Sequence, residues 1–416
     1  MSAERAAVDA EPGFAALVRQ NRNFRYLWLG QVVSQLGDWF NSVAVYALLL
    51  DLTHSATAVA IMMVVQLLPS AVIGPFAGVL VDRFDRRRVM IAADLLRGVL
   101  IVGLLLATSV DRVWLIYLVI GLAVVATSFF EPARAAMLPA VVSRRELLTA
   151  NALSAATWAT MLAVGAALGG VVTAVLGRNA AFLVNSASFF ASALFIWRIV
   201  SPPSEPVAAE GSALAPGLVN GLRYLRANPA VVALVSVKGV WAIAGGILLL
   251  LTVFGERVFR TAGSTAAGIG ILYAARGVGA GAGALIARAA FGNDPDRLRR
   301  GLGPAYLLVG LSYGGLAAAP DIWTASAAVV VAHLAGSMLW VGSNVLLQLN
   351  VPDRMRGRVF AIDFALLTLV SAAASYATAF ALDTFGVGPR TMAAVIGALF
   401  LAPGTAWLRT TRLGGL

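Results

Sequence analysis

The sequence predicts an all-α polytopic membrane protein, with twelve transmembrane helices arranged as two pseudo-symmetric six-helix bundles. Three observations predict it. The chain of 416 residues is 60% hydrophobic and only 12% charged, with a mean hydropathy of +0.85. A soluble core of that length cannot hide so much apolar surface, whereas a bilayer solvates it while helices satisfy their own backbone groups. Apolar stretches of about 20 residues, the length a span needs, recur twelve times, and the arginines between them fall in alternate loops.

In chain order, residues 1–24 are polar and charged (Glu4, Arg5, Asp9, Glu11, Arg19, Arg22). They lack the short apolar run and cleavage site of a leader, so a cytoplasmic N-terminal segment is expected. The predicted spans are 25–50, 57–81, 89–108, 113–132, 147–176 and 179–199 in a first bundle (25–200). Those of a second bundle (229–408) are 229–253, 265–290, 302–319, 322–349, 359–385 and 390–408, before a short tail, 409–416. Between the bundles, 201–228 begins Ser201-Pro-Pro-Ser-Glu-Pro206 and continues as Gly217-Leu-Val-Asn-Gly-Leu-Arg-Tyr-Leu-Arg226. That reads as a flexible linker and then an amphipathic helix on the membrane surface, with Leu218, Leu222 and Leu225 on one face.

Orientation follows from the arginines. With the N-terminus inside, the inner segments hold twenty-three and the outer segments five, Arg112, Arg178, Arg257, Arg260 and Arg390. By the positive-inside rule both termini are cytoplasmic. The densest inner loop is Gly78-Val-Leu-Val-Asp-Arg-Phe-Asp-Arg-Arg-Arg88. The halves echo one another: Gly78-Val-Leu-Val-Asp-Arg83 after the second span aligns with Gly283-Ala-Leu-Ile-Ala-Arg288 after the eighth. Paired homologous bundles are an architecture of secondary transporters.

Other chemistries are excluded or disfavoured. The arginines punctuate spans and form no single patch, so the net charge of +11 does not signal nucleic acid. With no cysteine and two distant histidines, His54 and His333, no metal centre and no cofactor is expected. The run Gly277-Val-Gly-Ala-Gly-Ala-Gly283 lies inside a predicted span without a preceding strand or a P-loop lysine, so close helix packing explains it better than a nucleotide.

At this point the chain resembles the major facilitator superfamily over residues 20–410. Gly78, Asp82, Arg83, Arg86 and Arg87 match the signature loop that follows the second span, with Asp85 standing where a second glycine is usual. Leu36-Gly-Asp-Trp39 and Val351-Pro-Asp-Arg-Met-Arg-Gly-Arg358 further resemble the third drug:proton antiporter family, the group of the enterobactin exporter and macrolide efflux proteins. The resemblance implies a cytoplasmic gate in which Asp82 approaches the start of the eleventh span and Arg86 pairs with Glu131. A carboxylate at a positive helix end and an arginine–carboxylate pair agree with that role, although the arginines would also serve topology alone. Gly165-Ala-Ala-Leu-Gly-Gly170 in the fifth span is similar to an exporter motif, with Ala167 in place of proline.

In that fold the first, fourth, seventh and tenth spans line the central cavity. Here they carry Asp38, Glu131, Lys238 and His333. Asp38 lies about 20 Å along its helix from Arg25, and Lys238 about 14 Å from Pro229. Ionisable groups so deep need a partner or a task. Asp38 and Glu131 are candidate proton-coupling carboxylates, and Lys238, the sole lysine, modulates Asp38 or contacts substrate. A static ion pair or solvated cavity charges are the alternatives. Gln35, Asn41, Asn344 and Trp241 are candidate substrate contacts beside His333. Asp94 and Arg97, one turn apart, are expected to satisfy each other, and Arg276 and Asp363 to be structural or gating charges between the bundles.

The expected function is proton-coupled export of amphiphilic small molecules (a drug, secondary metabolite or siderophore) by a monomer in the cell membrane, its partners being substrate, protons and lipid. An importer or a lipid flippase of the same fold is the alternative. A polytopic membrane enzyme would need a catalytic cluster near one surface, and the sequence offers no His-rich or paired-acid constellation there.

Overall fold

The protein is described by a computed structural model covering residues 13–412, apart from 82–83, 144, 201–213, 261–263 and 292–293. Helix α1 (Phe14–Gln20) leads into α2 (Arg22–Thr53), α3 (Ala56–Val81), α4 (Arg86–Val102), α5 (Val113–Val141), α6 (Leu147–Leu176) and α7 (Arg178–Trp197), the first bundle. After α8 (Leu214–Ala227) come α9 (Pro229–Trp241) and α10 (Gly245–Val253), which together form the seventh span. Helices α11 (Thr265–Phe291), α12 (Pro295–Ala318), α13 (Ile322–Asn350), α14 (Asp353–Thr384) and α15 (Pro389–Arg412) complete the second bundle.

Among the described residues, eleven segments are long and apolar enough to cross a membrane. The remaining span is α2, whose 32 residues would reach about 48 Å. It is too polar to qualify by composition, because Gln31, Ser34, Gln35, Asp38 and Asn41 recur at helical spacing and share a face.

Several boundaries differ from those predicted, each for a local reason. Helix α5 runs past Pro132 and Pro139 to Val141, as membrane helices tolerate proline where neighbours re-satisfy the freed backbone groups. Helix α12 begins at Pro295, ahead of the predicted 302. Asp294 accepts the Asp296 and Arg297 amides at 2.9 and 3.2 Å, and proline suits the first helical position. Residues 14–20, expected as polar tail, form α1 with Leu17 buried. The amphipathic helix of the linker is present as α8, but its predicted leucine face divides. Leu225 is buried while Leu222 stays exposed, because the contact with α14 runs through Gly221, where an added Cβ would meet Ile362 at 2.8 Å.

The seventh span is interrupted by a tight turn, Ala242–Ala244, before Gly245-Gly246. A break inside a bilayer needs partners for its freed carbonyls. Helix α14 supplies them: Ser371 Oγ donates to Ala242 O at 3.3 Å and Ser375 Oγ to Gly245 O at 2.8 Å.

The helix contacts repeat between halves. In the first bundle α4 packs on α5 and α7, α3 on α5, and α2 on α6; in the second α12 packs on α13 and α15, α11 on α13, and the seventh span on α14. The bundles meet through two further pairs, α6 with α11 and α3 with α14. Both glycine runs serve these contacts. An added Cβ on Gly170 would stand 3.0 Å from Gly270 Cα, and one on Gly281 3.5 Å from Ala159 Cβ, so α6 and α11 meet nearly backbone to backbone. Gly279 and Gly283, on another face of α11, take the carbonyls of Val330 and Leu334 in α13.

The starts of α2, α4 and α12 share one face of the molecule, here the terminal face, with the ends of α5, α7, α13 and α15. Asn21 Nδ2 reaches Val141 O at 2.8 Å, Asn23 Nδ2 reaches Val200 O at 2.8 Å, and Trp407 Nε1 reaches Arg299 O at 2.8 Å. On the opposite, far face the bundles are laced together. Asp383, at the end of α14, accepts Ser55 Oγ at 2.8 Å and the Ala56 and Thr57 amides at 3.2 and 2.8 Å, capping α3 from the other bundle. Arg257 donates to His54 O at 3.0 Å and lies 3.9 Å from Asp383, while Thr265 Oγ1 lies 3.3 Å from Asp51 Oδ1.

Candidate functional site

A cavity of about 530 Å³ opens within the first bundle, walled by α2, α4, α5 and α6. Gln31, Gln35, Asp38 and Trp39 come from α2, Phe130, Glu131 and Arg134 from α5, and Trp158 from α6. It extends from mid-span at Asp38 and Ser42 toward Glu131 and Arg134, near the terminal face. Its polar lining follows from the polar stripe of α2, and its aromatic walls come from Trp39, Phe130 and Trp158.

Asp38 faces this space and makes no ion pair among the described residues, and the charged groups that act on it are Arg97, Asp94 and Glu131. Arg97, also in the wall, is paired with Asp94 one turn away. Its guanidinium lies between the rings of Phe130 and Phe189, 4.5 and 4.3 Å from their centres, and Nη1 reaches Thr127 Oγ1 at 3.3 Å. The fixed cation beside Asp38 is therefore already neutralised and clamped, which leaves Asp38 the uncommitted acid of the cavity.

Other predicted residues fall elsewhere. Lys238 does not reach toward Asp38 but forms a buried ion pair with Asp363 of α14, and donates to Asn344 Oδ1 at 2.6 Å. Trp340 and Phe360 cover it, 5.0 and 5.4 Å from ring centre to Nζ. Asp363 and Asn344 are accordingly internal to the second bundle, and Asp363 is not an inter-bundle charge. His333 and Trp241 stack edge to face 5.8 Å apart, with Trp241 also against Phe400 at 6.1 Å, so both pack inside the second bundle. Asn41 is buried on α2 outside the cavity wall, whereas Gln35 lies in it.

The gate contacts implied by the resemblance belong to a shut cytoplasmic side, and in this structure Glu131 and Arg86 have other partners among the described residues. Asp82 and Arg83 lie outside the described residues, and Gly78 belongs to α3. Glu131 is held by Arg134 in its own helix at 2.8 Å, and Arg86 donates to Ala136 O at 3.2 Å further along α5. Neighbouring turns of one helix bring Glu131 and Arg134 together at no cost in tertiary geometry. Arg87 caps the end of α7 through the carbonyls of Ile196 and Trp197. Asp85, the departure from the usual glycine, caps α4 by accepting the Arg88 amide at 2.9 Å. An aspartate just before a helix is a readable N-cap signal that the sequence reading passed over.

Two packed helical bundles, a mid-membrane cavity and a polar stripe along one long helix define a polytopic membrane transporter rather than an enzyme. The profile of a family described as "Transmembrane secretion effector" matches residues 13–413, and the chain belongs to that family of the major facilitator type. An uncharacterized MFS-type transporter of Mycobacterium tuberculosis is 31% identical over 380 residues, covering 84% of this chain and 82% of the relative. A putative bacilysin exporter of Bacillus subtilis is 27% identical over 351 residues, covering 83% and 85%. Shorter matches span about half of an uncharacterized MFS-type transporter of Bacillus subtilis (27% identity, 51% of each chain) and 40% of macrolide efflux protein A of Streptococcus pyogenes (29% identity, 39% of this chain). Among solved structures, a POT family transporter in complex with 5-aminolevulinic acid superposes with a TM-score of 0.74 at 11% identity, covering 94% of this chain and 96% of that one. A bacterial homologue of the iron transporter ferroportin in its inward-facing state gives 0.70 at 15%, covering 94% and 98%.

Proposed function

We propose that this transporter exports amphiphilic small molecules across the cytoplasmic membrane in exchange for protons, as a monomer working by alternating access. The observation that carries the reading is the placement of Asp38: an acid without an ion-pair partner among the described residues, in an aromatic-walled cavity that also holds a clamped arginine. An uncommitted carboxylate at mid-membrane is suited to take up and release a proton as the cavity changes sides. The arginine distribution makes the terminal face cytoplasmic, and the conformation is then inward-facing, with its far side closed by Asp383 and Arg257. Export fits the names carried by relatives, a bacilysin exporter and a macrolide efflux protein.

The test uses purified protein in proteoliposomes under an imposed pH gradient. Substrate-dependent proton movement is expected, and Asp38→Asn is expected to abolish gradient-driven accumulation while sparing exchange of labelled for unlabelled substrate. Gradient-driven transport that survives in Asp38→Asn would remove Asp38 from the coupling role.

A further inference from the structure

The cavity draws its walls from the first bundle, yet a cation of the second bundle stands against one of its wall residues. Arg276, in the middle of α11, holds its guanidinium carbon 5.9 Å from the ring centre of Trp39, a cavity wall residue, and 5.8 Å from that of Tyr273. Among the described residues, two other cations deep in the spans are matched to acids, Arg97 to Asp94 and Lys238 to Asp363. Arg276 has no ion pair among the described residues, and the titratable groups that interact with it are Tyr273, Tyr46, Tyr313 and His333, none of them a carboxylate. An unmatched guanidinium at that depth is costly, and its retention calls for a partner brought from outside the chain.

A second observation points the same way. His333 Nε2 and Tyr313 Oη are buried without a hydrogen-bond partner among the described residues. Their rings lie 6.4 Å apart, and both side chains fall within the field of Arg276. A cation and two unsatisfied polar atoms thus lie in one region of α11, α12 and α13, and Arg276 is the member that reaches the cavity-wall residue Trp39.

We propose that Arg276 is the anion-binding residue of the transport site and that the substrate is an amphiphile bearing a carboxylate. The acid group meets the planar guanidinium fork, which suits two parallel hydrogen bonds to carboxylate oxygens, and the apolar body lies against Trp39. The proposal rests on the central cavity being the transport site, as read above, and it narrows the substrate class.

The test is equilibrium binding to the full chain in lipid nanodiscs without a pH gradient, with dansyl-phenylalanine and its methyl ester as first probes. A set of alkyl and aryl carboxylates with their esters follows. The acids are expected to bind about tenfold more tightly than the esters, the scale of one charged hydrogen-bonded contact. Arg276→Gln is expected to level the two, Arg276→Lys to keep part of the preference, and Arg112→Gln on the far face to leave it unchanged. Equal binding of acid and ester across the set, no saturable binding of any acid, or an undiminished preference in Arg276→Gln would overturn the proposal. The comparison on the unsubstituted chain stands even if a variant does not fold. Loss of proton-driven flux with the acid preference intact would count against the antiport reading alone; equal binding with intact flux would count against this one alone.

Discussion

Two of the cations inside the spans are neutralised by acids of the same bundle, and the two neutralisations differ in how legible they were. Asp94 and Arg97 sit one helical turn apart, so the helix itself announces the pair. Lys238 and Asp363 are separated by 125 residues, and no local rule links them. Helical position placed Lys238 well inside its span, but which way it turns depends on the packing of α14 beside the seventh span. Burial makes the pair fragile to single changes. Lys238→Met is expected to destabilise the protein by about 3–5 kcal/mol by stranding Asp363, whereas Lys238→Met combined with Asp363→Leu is expected to recover most of the loss. Thermal unfolding in detergent of the two singles and the double reads the coupling directly; additive losses would show that the pair is not an energetic unit.

At the scale of elements, span length was sufficient to find the membrane-spanning helices, whereas α2 was placed beside the cavity by the resemblance and not by any spacing rule. Less visible was the interruption of the seventh span at Ala242–Ala244. Gly245-Gly246 marks a weak point, but the hydroxyls that make a break tolerable, Ser371 and Ser375, lie on another helix. The far-face lock was also unread, since it joins Asp383 to the start of α3 over more than three hundred residues. A carboxylate accepting two amides and a hydroxyl at a helix start is a cap supplied from the opposite bundle. Asp383→Asn is expected to loosen the far side by about 1 kcal/mol, within the range of a helix cap, and so to raise the outward-open population about fivefold. The chain has no native cysteine, so the change can be measured as faster labelling of a single introduced Ala47→Cys by a membrane-impermeant maleimide added from the far side. An unchanged labelling rate would show that Asp383 does not hold the far side shut.

For the whole molecule, the twofold repeat of helix contacts and the superfamily architecture were legible because bilayer thickness fixes span length and backbone satisfaction leaves helices as the spanning form. The conformational state was not legible, because it depends on contacts between residues far apart in sequence, such as Asp383 with Ser55 and Thr57. Orientation remains testable by the same cysteine-free background. Arg112→Cys and Gly386→Cys are expected to react with impermeant maleimide on intact cells, and Arg22→Cys and Arg300→Cys only after permeabilisation; the reverse pattern would invert the topology and make the far face cytoplasmic.

The crossing of α6 and α11 has a consequence for what does not pass. Where Gly170 and Gly270 meet, a Cβ on either would touch the other's Cα at 3.0 or 2.9 Å, so the seam has no width for a file of water molecules. A carrier that runs on an ion gradient is useful only while its idle closed side does not leak. The seam's insulation comes from backbone contact and needs no side chain that substrate or pH could disturb. A bulkier residue at either glycine is therefore expected to appear first as background conductance in substrate-free liposomes, before any effect on binding.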